Sequence, residues 1–319
     1  MRKWFLPLMM AFVLMLAACG NAQSGSTTAS NEPNGSGNQS GAATTTEAKT
    51  ITYQSENGPV EVPANPQRVV VLDGSAGTLA KLGVPIVGVD TWTMSNPNMK
   101  PYLGNAKEVS AENVEQIIEL KPDLIIASSS TKNLDKLKQI APLVSFTYNK
   151  VDYLTQIEEV AKVVNKAEQG AAWVADFKTR AAKAGADIKA KIGANSTVSV
   201  FEVYGKQMYT FGDAWGRGTE VLYQAMGLKM PGKVKAMTQK DGYYTLSAEV
   251  LPDYMGDYVF FSKYPDSDTS FESTDTFKNI PAVKNHHLYE VDARGFTFND
   301  ATTLDIQLEL IKKDLLGQA

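Results

Sequence analysis

The chain has 319 residues, a formal net charge of −4 at pH 7, one cysteine and two histidines. Because nucleic-acid-binding domains present a basic face, this charge gives no indication of a nucleic-acid partner. A single cysteine excludes an intramolecular disulfide framework, and together with only two histidines it argues against a zinc site.

The amino-terminal residues are typical of an exported lipoprotein. Arg2 and Lys3 precede an almost wholly apolar run over 4–16, and the letters LAAC occupy 16–19. A basic start, a short apolar run and small residues form a secretory signal, and the run is too short for a stable membrane span. The LAAC box resembles the bacterial lipobox, in which the cysteine is lipidated. We therefore expect residues 1–18 to be a signal peptide and Cys19 to carry a lipid anchor.

Residues 19–50 predict a flexible tether after the lipidated cysteine. They consist largely of Ser, Thr, Asn, Gly and Ala, with almost no large apolar side chain. Such a segment cannot bury enough surface to offset the entropy lost on ordering. We expect it to hold a folded body, which begins at residue 51, off the outer face of a cell membrane.

Strand-like and helical patterns alternate over 51–165, the predicted N-terminal lobe. Apolar runs at 69–72, 86–89 and 124–127 predict buried strands. Helical spacing is found at 76–82 and at 112–120. This alternation is typical of a parallel α/β lobe.

A long helix is predicted over 166–192. The segment 168–192 contains no proline, and its apolar side chains recur at helical spacing. About 25 helical residues span about 37 Å, which is long for a helix inside one globular core. We expect this helix to bridge the first lobe and a C-terminal α/β lobe over 193–319, with strands at 198–203 and 258–261 and a helix at 218–226. The apolar stripe of the long helix is Trp173, Val174, Phe177, Ala181, Ala184 and Ile188.

The body lacks the common catalytic patterns. It has no P-loop, no G-x-G-x-x-G after a strand and no G-x-S-x-G elbow. His286 and His287 are adjacent, and neighbouring residues of a strand point to opposite faces. We therefore expect a protein that is not an enzyme and that holds no cofactor and no metal of its own.

Aromatic residues and scarce arginines point instead to a binding protein. Many of the 13 tyrosines and 12 phenylalanines fall in predicted loops or at strand ends, and Trp92 lies in a Pro- and Asn-rich predicted loop. Aromatics at strand ends in two lobes predict a cleft for a bulky, partly apolar ligand, although core packing is the alternative for any single one. A strongly anionic ligand would need several converging cations. Beyond the signal peptide the only arginines are Arg68, Arg180, Arg217 and Arg294.

The segment YTFGDAWGRG, at 209–218, combines three glycines with Trp215 and Arg217. Glycine permits backbone conformations that other residues avoid. We interpret Gly212, Gly216 and Gly218 as turn residues that let Trp215 and Arg217 project together into a cleft.

Several segments resemble the siderophore-binding lipoproteins of bacterial ABC importers. The general features are the lipobox, the tether, NPQRVV at 65–70, KPDLII at 121–126 and the long helix. YTFGDAWGRGTEVLYQAMGLKM, at 209–230, is similar over its whole length to the ferric-hydroxamate (ferrichrome and ferrioxamine) receptors of Gram-positive bacteria. Lesser similarity runs through TYNKVDY, FESTDTFKNI and FNDATTLD. The resemblance implies a class III solute-binding fold: two Rossmann-like α/β lobes joined by a single long helix, with a shallow ligand cleft between them.

The resemblance also implies a binding site and a monomer that closes little on its ligand. Trp215 would pack on the siderophore, Arg217 would hydrogen-bond its oxygens, and Tyr148 would face them from the first lobe. Phe298 stands where a relative carries tyrosine, and Tyr243 where one carries tryptophan. Three hydroxamates neutralise Fe³⁺ and fill its coordination sphere, so the protein would supply no metal ligand. The implied ligand-binding residues are Tyr148, Tyr209, Trp215, Arg217, Tyr243 and Phe298.

Docking to the permease is implied through one glutamate on each lobe. By similarity these are Glu115 and Glu249. A faint internal echo, SAE at 110–112 and SAE at 247–249, would instead pair Glu112 with Glu249 and place each serine as a helix N-cap. Two alternatives stay open: a receptor of the same fold for a citrate-type or catecholate siderophore, haem or cobalamin, and a surface-anchored enzyme or adhesin.

Overall fold

The computed structural model describes residues 49–317, so the predicted signal peptide, Cys19 and the tether up to residue 48 lie outside the described residues. The strands are β1 (Thr50–Ser55), β2 (Gly58–Pro63), β3 (Val69–Leu72), β4 (Ile86–Val89), β5 (Lys107–Glu108), β6 (Leu124–Ser128), β7 (Leu143–Phe146), β8 (Val198–Tyr204), β9 (Gln207–Phe211), β10 (Tyr243–Leu246), β11 (Tyr258–Lys263) and β12 (Leu288–Asp292). The helices are α1 (Ala76–Lys81), α2 (Thr91–Ser95), α3 (Lys100–Leu103), α4 (Val114–Glu119), α5 (Leu134–Leu137), α6 (Tyr153–Val163), α7 (Ala167–Ile192), α8 (Gly232–Thr238), α9 (Leu251–Tyr254), α10 (Asp275–Lys278), α11 (Pro281–Lys284), α12 (Ala293–Phe296) and α13 (Ala301–Leu316). Glu220–Ala225 is π-helical, and Ala248–Val250 and Ser270–Ser273 are 3₁₀ turns.

The first lobe is built on a five-stranded sheet in the order β5-β4-β3-β6-β7, and all of its neighbouring strands are parallel. This confirms the parallel α/β prediction. A parallel sheet is covered on both faces, which is why its strands are almost continuously apolar. The helix predicted over 112–120 is shorter, because Asn113 rather than Ser110 caps α4 by accepting a hydrogen bond from the Gln116 N–H (3.4 Å).

The second lobe is built on a five-stranded mixed sheet in the order β10-β9-β8-β11-β12. Strands β8, β11 and β12 are parallel, whereas β9 runs antiparallel to both neighbours because a tight hairpin joins it to β8. The helix predicted over 218–226 begins later, because Gly218 has φ of +80° and cannot be its first residue. The segment Glu220–Ala225 is π-helical. The predicted cap Ser247 makes no side-chain capping bond.

Helix α7 confirms the predicted long helix. Five residues of the predicted stripe are buried, and Trp173 is partly buried. They pack against the second-lobe core together with α6. A Cβ built at Gly185 would lie 2.1 Å from the Met226 carbonyl oxygen, so glycine is required for this close approach. Across residues 49–317, no helix is both long and apolar enough to span a membrane.

Helix α13 makes a second connection between the lobes, which the sequence did not suggest. The Thr302 hydroxyl donates to the Gly77 carbonyl (2.7 Å) of the first lobe. Asp305 pairs with Lys81 on α1 and with Arg180 on α7, each at 2.6 Å. Burial alone would raise the pKa of Asp305, but the hydrogen bonds from Lys81 and Arg180 lower it below its usual value. The lobes are thus joined by one helix and braced by another.

Candidate ligand-binding cleft

A cavity of about 390 Å³ lies between the two lobes. The first lobe contributes the residues that follow β3 and β7, at the carboxyl ends of parallel strands, where α/β folds bind their ligands. The second lobe contributes the loop after β9 and the segment between α12 and α13. Four of the six predicted ligand-binding residues line this cavity: Tyr148, Trp215, Arg217 and Phe298.

The other two predicted residues, Tyr209 and Tyr243, are not among the residues that line it. Tyr243 begins β10, and its ring lies edge-on to Trp215 at 5.1 Å between centroids. Tyr209 lies on β9, one ring further away, 6.2 Å from Tyr243. Tyr243 therefore packs against Trp215, and Tyr209 packs against Tyr243.

The backbone of the Trp215 loop adopts an uncommon conformation. Gly216, Arg217 and Gly218 have φ of +66°, +56° and +80°, three successive left-handed residues. Residues other than glycine seldom adopt this conformation. Gly212, in contrast, has no left-handed φ, so it is not a turn glycine as predicted. A Cβ there would make a tight contact, 3.2 Å from the Gly242 carbonyl oxygen.

Arg217 is held from behind by a buried carboxylate. Its Nε and Nη2 each donate to an oxygen of Glu202 at 3.1 Å, and its Nη1 donates to the Trp215 carbonyl at 2.9 Å. The guanidinium carbon lies 4.8 Å from the centre of the Phe211 ring. The Glu202 side chain is 4% exposed and that of Arg217 is 18% exposed, and of the two only Arg217 lines the cavity.

A second buried acid fixes the same loop from another side. Glu220 accepts hydrogen bonds from the Gly216 N–H (2.9 Å) and from the Asn299 side chain (3.1 Å). Asn299 directly follows Phe298, so Glu220 ties together the two second-lobe segments that line the cavity. Burial raises the pKa of Glu220 above its usual value, against the effect of these hydrogen bonds.

Two aspartates also line the cavity. Burial and the neighbouring Asp90 raise the pKa of Asp73 to about 6, although hydrogen bonds from the Ser75 N–H and hydroxyl oppose the rise. Asp300 caps α13 by accepting from the Thr303 N–H and hydroxyl (3.0 and 2.8 Å). Burial raises its pKa as well.

Tyr148 reaches from the first lobe to the second-lobe loop. Its ring centre is 5.8 Å from that of Trp215, and its hydroxyl donates to the Ala214 carbonyl at 3.3 Å. The residue is 56% exposed, whereas its phenol end lies in the cavity wall. Partial burial there, together with the nearby Glu220, raises the pKa of Tyr148 to about 12. The phenol is therefore a neutral hydrogen-bond donor at neutral pH.

A second aromatic contact joins the lobes outside the cavity. Trp92 lies on the short helix α2, where a loop was predicted, and its ring is 6.3 Å from that of Tyr264 in the second lobe. Tyr204 packs edge-on against Tyr264 at 5.3 Å. The cavity is thus flanked by aromatic contacts across the two lobes.

The chemistry of the cavity suits recognition of a ligand surface. Within residues 49–317, no group of three or more His, Cys, Asp or Glu side chains could hold a metal ion. Arg217 is the one cationic side chain among the described residues that line the cavity. Aromatic faces and one guanidinium can grip a partly apolar, oxygen-rich molecule.

The sequence analysis predicted aromatic residues at the cleft but not the carboxylates around it. Glu202 had a usable signal, because it is the only charged residue in the otherwise apolar strand VSVFEVY. Asp300 precedes a helix in DATT, which is a typical N-cap position. Glu220 and Asp73 carry no comparable local signal.

Comparison with known proteins agrees with this geometry. Residues 69–294 match the family model described as periplasmic binding protein. The chain is 37% identical over 311 residues to the iron(3+)-hydroxamate-binding protein FhuD of Bacillus subtilis, covering 95% of this chain and 94% of that protein. It is 34% identical to the iron(3+)-hydroxamate-binding protein YxeB of the same species, covering 84% and 86%. The structure of FhuD2 from Staphylococcus aureus with bound ferrioxamine B superposes with a TM-score of 0.75 at 38% identity, covering 79% of this chain and 99% of that one.

Proposed function

The chain belongs to the periplasmic binding protein family, and on this premise we propose that it captures ferric hydroxamate siderophores and delivers them to an ABC permease for iron uptake. The observation that carries the proposal is the meeting of Tyr148, Trp215 and Arg217 at one cavity between the lobes. Two of the relatives named above are iron(3+)-hydroxamate-binding proteins, and their similarity covers 95% and 84% of this chain. The protein acts by binding and release, not as an enzyme.

The charge of the cavity supports the hydroxamate class. Three hydroxamates, each carrying one negative charge, neutralise Fe³⁺. A site for such a neutral chelate therefore needs few cationic side chains. A tris-catecholate complex carries a charge of about −3 and would call for several converging arginines or lysines. Among the described residues that line the cavity, Arg217 is the only arginine or lysine. Haem would need a phenolate or imidazole ligand, but no histidine is among the described residues that line the cavity, and the Tyr148 hydroxyl donates to the Ala214 carbonyl.

Tryptophan fluorescence tests the ligand class directly. Trp215 lines the cavity, so a ferric hydroxamate bound there should quench its emission at micromolar concentration or below. We would titrate ferrioxamine, ferrichrome, a ferric catecholate, ferric citrate and haem, with the iron-free siderophores as controls. Trp215→Phe should remove most of the quenching. No quenching by any ferric hydroxamate would overturn the proposal, and quenching by haem or citrate alone would replace it.

We propose that Glu115 and Glu249 dock the permease. Both are exposed, Glu115 in the first turn of α4 and Glu249 in the 3₁₀ turn before α9. A hydrogen bond from Ser247 lowers the pKa of Glu249, which keeps it ionised. Glu112 pairs with Lys132 at 2.5 Å, whereas Glu115 makes no ion pair within residues 49–317. This difference favours Glu115 over Glu112 as the first-lobe partner of a permease arginine.

Iron-uptake measurements distinguish docking from binding. Glu115→Ala combined with Glu249→Ala should abolish siderophore uptake and leave the fluorescence titration unchanged, because neither residue lines the cavity. Glu112→Ala is the matched control and should transport normally. Loss of uptake in Glu112→Ala, with normal uptake in Glu115→Ala, would reverse the assignment.

The lipid anchor is also part of the proposal. Lipidated Cys19 would hold a monomeric receptor at the outer face of the membrane of a Gram-positive-type bacterium. Cys19→Ala should release the protein into the medium with its siderophore affinity unchanged. Retention of the variant on the membrane would rule out Cys19 as the anchor.

A further inference from the structure

We propose that Glu202 determines the charge class of the ligand by neutralising and orienting Arg217. This inference rests on the proposed function and assigns a role to a residue that does not line the cavity itself. Glu202 lies on β8 in the centre of the second-lobe sheet, and strand β8 has β9 and β11 as neighbours. It therefore acts on the ligand only through the arginine.

The geometry fixes one edge of the guanidinium and leaves other donors available. The two Glu202 oxygens accept hydrogen bonds from Nε and Nη2 of Arg217, each at 3.1 Å, and the Trp215 carbonyl accepts one from Nη1. A guanidinium has five N–H donors, so one on Nη1 and one on Nη2 have no partner within the described residues. Ser262 donates to the same carboxylate at 3.2 Å and fixes it in turn.

The backbone leaves Arg217 few other positions. Its left-handed φ of +56°, between two left-handed glycines, fixes where the side chain leaves the main chain. Phe211 stacks under the guanidinium at 4.8 Å. Because both the backbone and the guanidinium of Arg217 are held in place, its two available N–H groups are pre-organised for oxygens of the ligand.

The pairing also sets the charge of the binding surface. Glu202 and Arg217 together are neutral, so the arginine offers directional hydrogen bonds without an uncompensated positive charge. A neutral ferric trihydroxamate can use these bonds, whereas an anionic chelate gains no net electrostatic attraction from the neutral pair. Specificity of this kind comes from what disfavours the wrong ligand as well as from what favours the right one.

Replacing Glu202 by glutamine tests the inference through a change in selectivity. In Glu202→Gln the affinity for ferrichrome, a neutral trihydroxamate, should fall by at least about fivefold as Arg217 loses its orientation. The affinity for a ferric tris-catecholate should rise, so that the ratio of the two affinities shifts by at least about tenfold toward the anion. If Glu202 had only a structural role, Glu202→Gln would weaken the binding of both ligands by the same factor. An unchanged ratio of affinities would therefore overturn the inference.

Two further variants complete the test. Glu309→Gln removes the same formal charge from an exposed glutamate on α13, paired with Lys312, and should leave the ratio unchanged. Arg217→Gln and Arg217→Gln/Glu202→Gln should bind ferrichrome within about twofold of each other, because Glu202 acts only through the arginine. This comparison stays valid if the single Glu202 variant does not fold. An additional loss in the double variant would contradict the inference.

The inference and the proposed function fail in different ways. A wild-type protein that binds no hydroxamate would overturn the proposed function, and this inference with it. A wild-type protein that binds ferrichrome, with a Glu202→Gln variant of unaltered selectivity, would overturn this inference alone.

Discussion

The two walls of the cleft are built differently. The second-lobe wall, 215–218 with 297–300, has three successive left-handed residues and two buried acids beneath it. The first-lobe wall, 73–75 with 146–149, presents Tyr148 on an exposed loop held by hydrogen bonds of 3.3 Å. A rigid wall lowers the entropy lost on binding, and an adaptable wall can fit ligands of different shape. Under the proposed function, we expect the second lobe to hold the iron centre of the ligand and the first lobe to accommodate the ligand backbone.

The largest effect is expected at Gly216, where the second-lobe wall is most constrained. A Cβ there would lie 2.0 Å from the Thr297 carbonyl oxygen, and φ is +66°. Gly216→Ala should therefore lower the free energy of unfolding by more than about 3 kcal/mol, measured by chemical denaturation. Gly205→Ala is the matched control, because φ is +60° with no atom within 4 Å. It should cost about 1 kcal/mol. If both variants lost the same free energy of unfolding, the close packing around Gly216 would not constrain the second-lobe wall.

Arg217→Ala should weaken binding of a ferric hydroxamate by at least about tenfold, or about 1.4 kcal/mol. It also leaves Glu202 buried without its partner, so the melting temperature should fall. Affinity is best measured by fluorescence titration well below the new transition. The control is Arg294→Ala, an exposed arginine on α12. Unchanged affinity in Arg217→Ala would remove the arginine from the site.

Tyr148→Ala should have a smaller effect, a loss of about fivefold in affinity, because the residue offers one aromatic contact from an exposed loop. Tyr148→Phe should stay within about twofold, since the hydroxyl makes only the 3.3 Å bond to Ala214. Isothermal titration with a ferric hydroxamate measures both. If Tyr148→Ala lost more affinity than Arg217→Ala, the first-lobe wall would be the anchor and the comparison would be reversed.

A separate effect, on stability rather than affinity, is the pH dependence expected at Asp73. Its pKa is raised to about 6 in the folded protein, so folding takes up a proton between about pH 4 and pH 6 and stability falls as the pH rises through that range. Asp73→Asn removes this loss. The stability of the variant relative to wild type should therefore grow by about 1 kcal/mol between pH 5 and pH 8. Thermal melts at the two pH values test it, and a constant difference would contradict the raised pKa.

Local patterns predicted much of the fold and part of the site. The parallel first-lobe strands and helix α7 follow from apolar periodicity, which depends only on residues close in sequence. The antiparallel strand β9 and the π-helical segment were not predicted. Strand β9 runs antiparallel because a short hairpin joins it to β8, and the π-helical segment begins after Gly218. Neither feature changes the apolar pattern of the sequence.

Within the site, residue type was informative where the chemistry is visible in one residue. Trp215 and Arg217 stood out by their rarity and their glycine-rich setting, and the resemblance added Tyr148 and Phe298. Tyr209 stands in the same glycine-rich segment as Trp215 and Arg217, yet neither Tyr209 nor Tyr243 lines the cavity. The direction in which an aromatic ring points depends on strand pairing, and a sequence segment does not contain that information.

Sequence alone was enough to predict an α/β body with one long helix, an aromatic cleft, few arginines and an export signal. Only the tertiary structure decided that Arg217 is paired and that α13 braces the lobes through Asp305. The reason is physical. Periodicity and composition report on burial and local conformation, whereas a carboxylate finds its partner only when strands distant in sequence are brought side by side. Glu202 and Arg217 are such a pair, and their chemistry exists only in the folded protein.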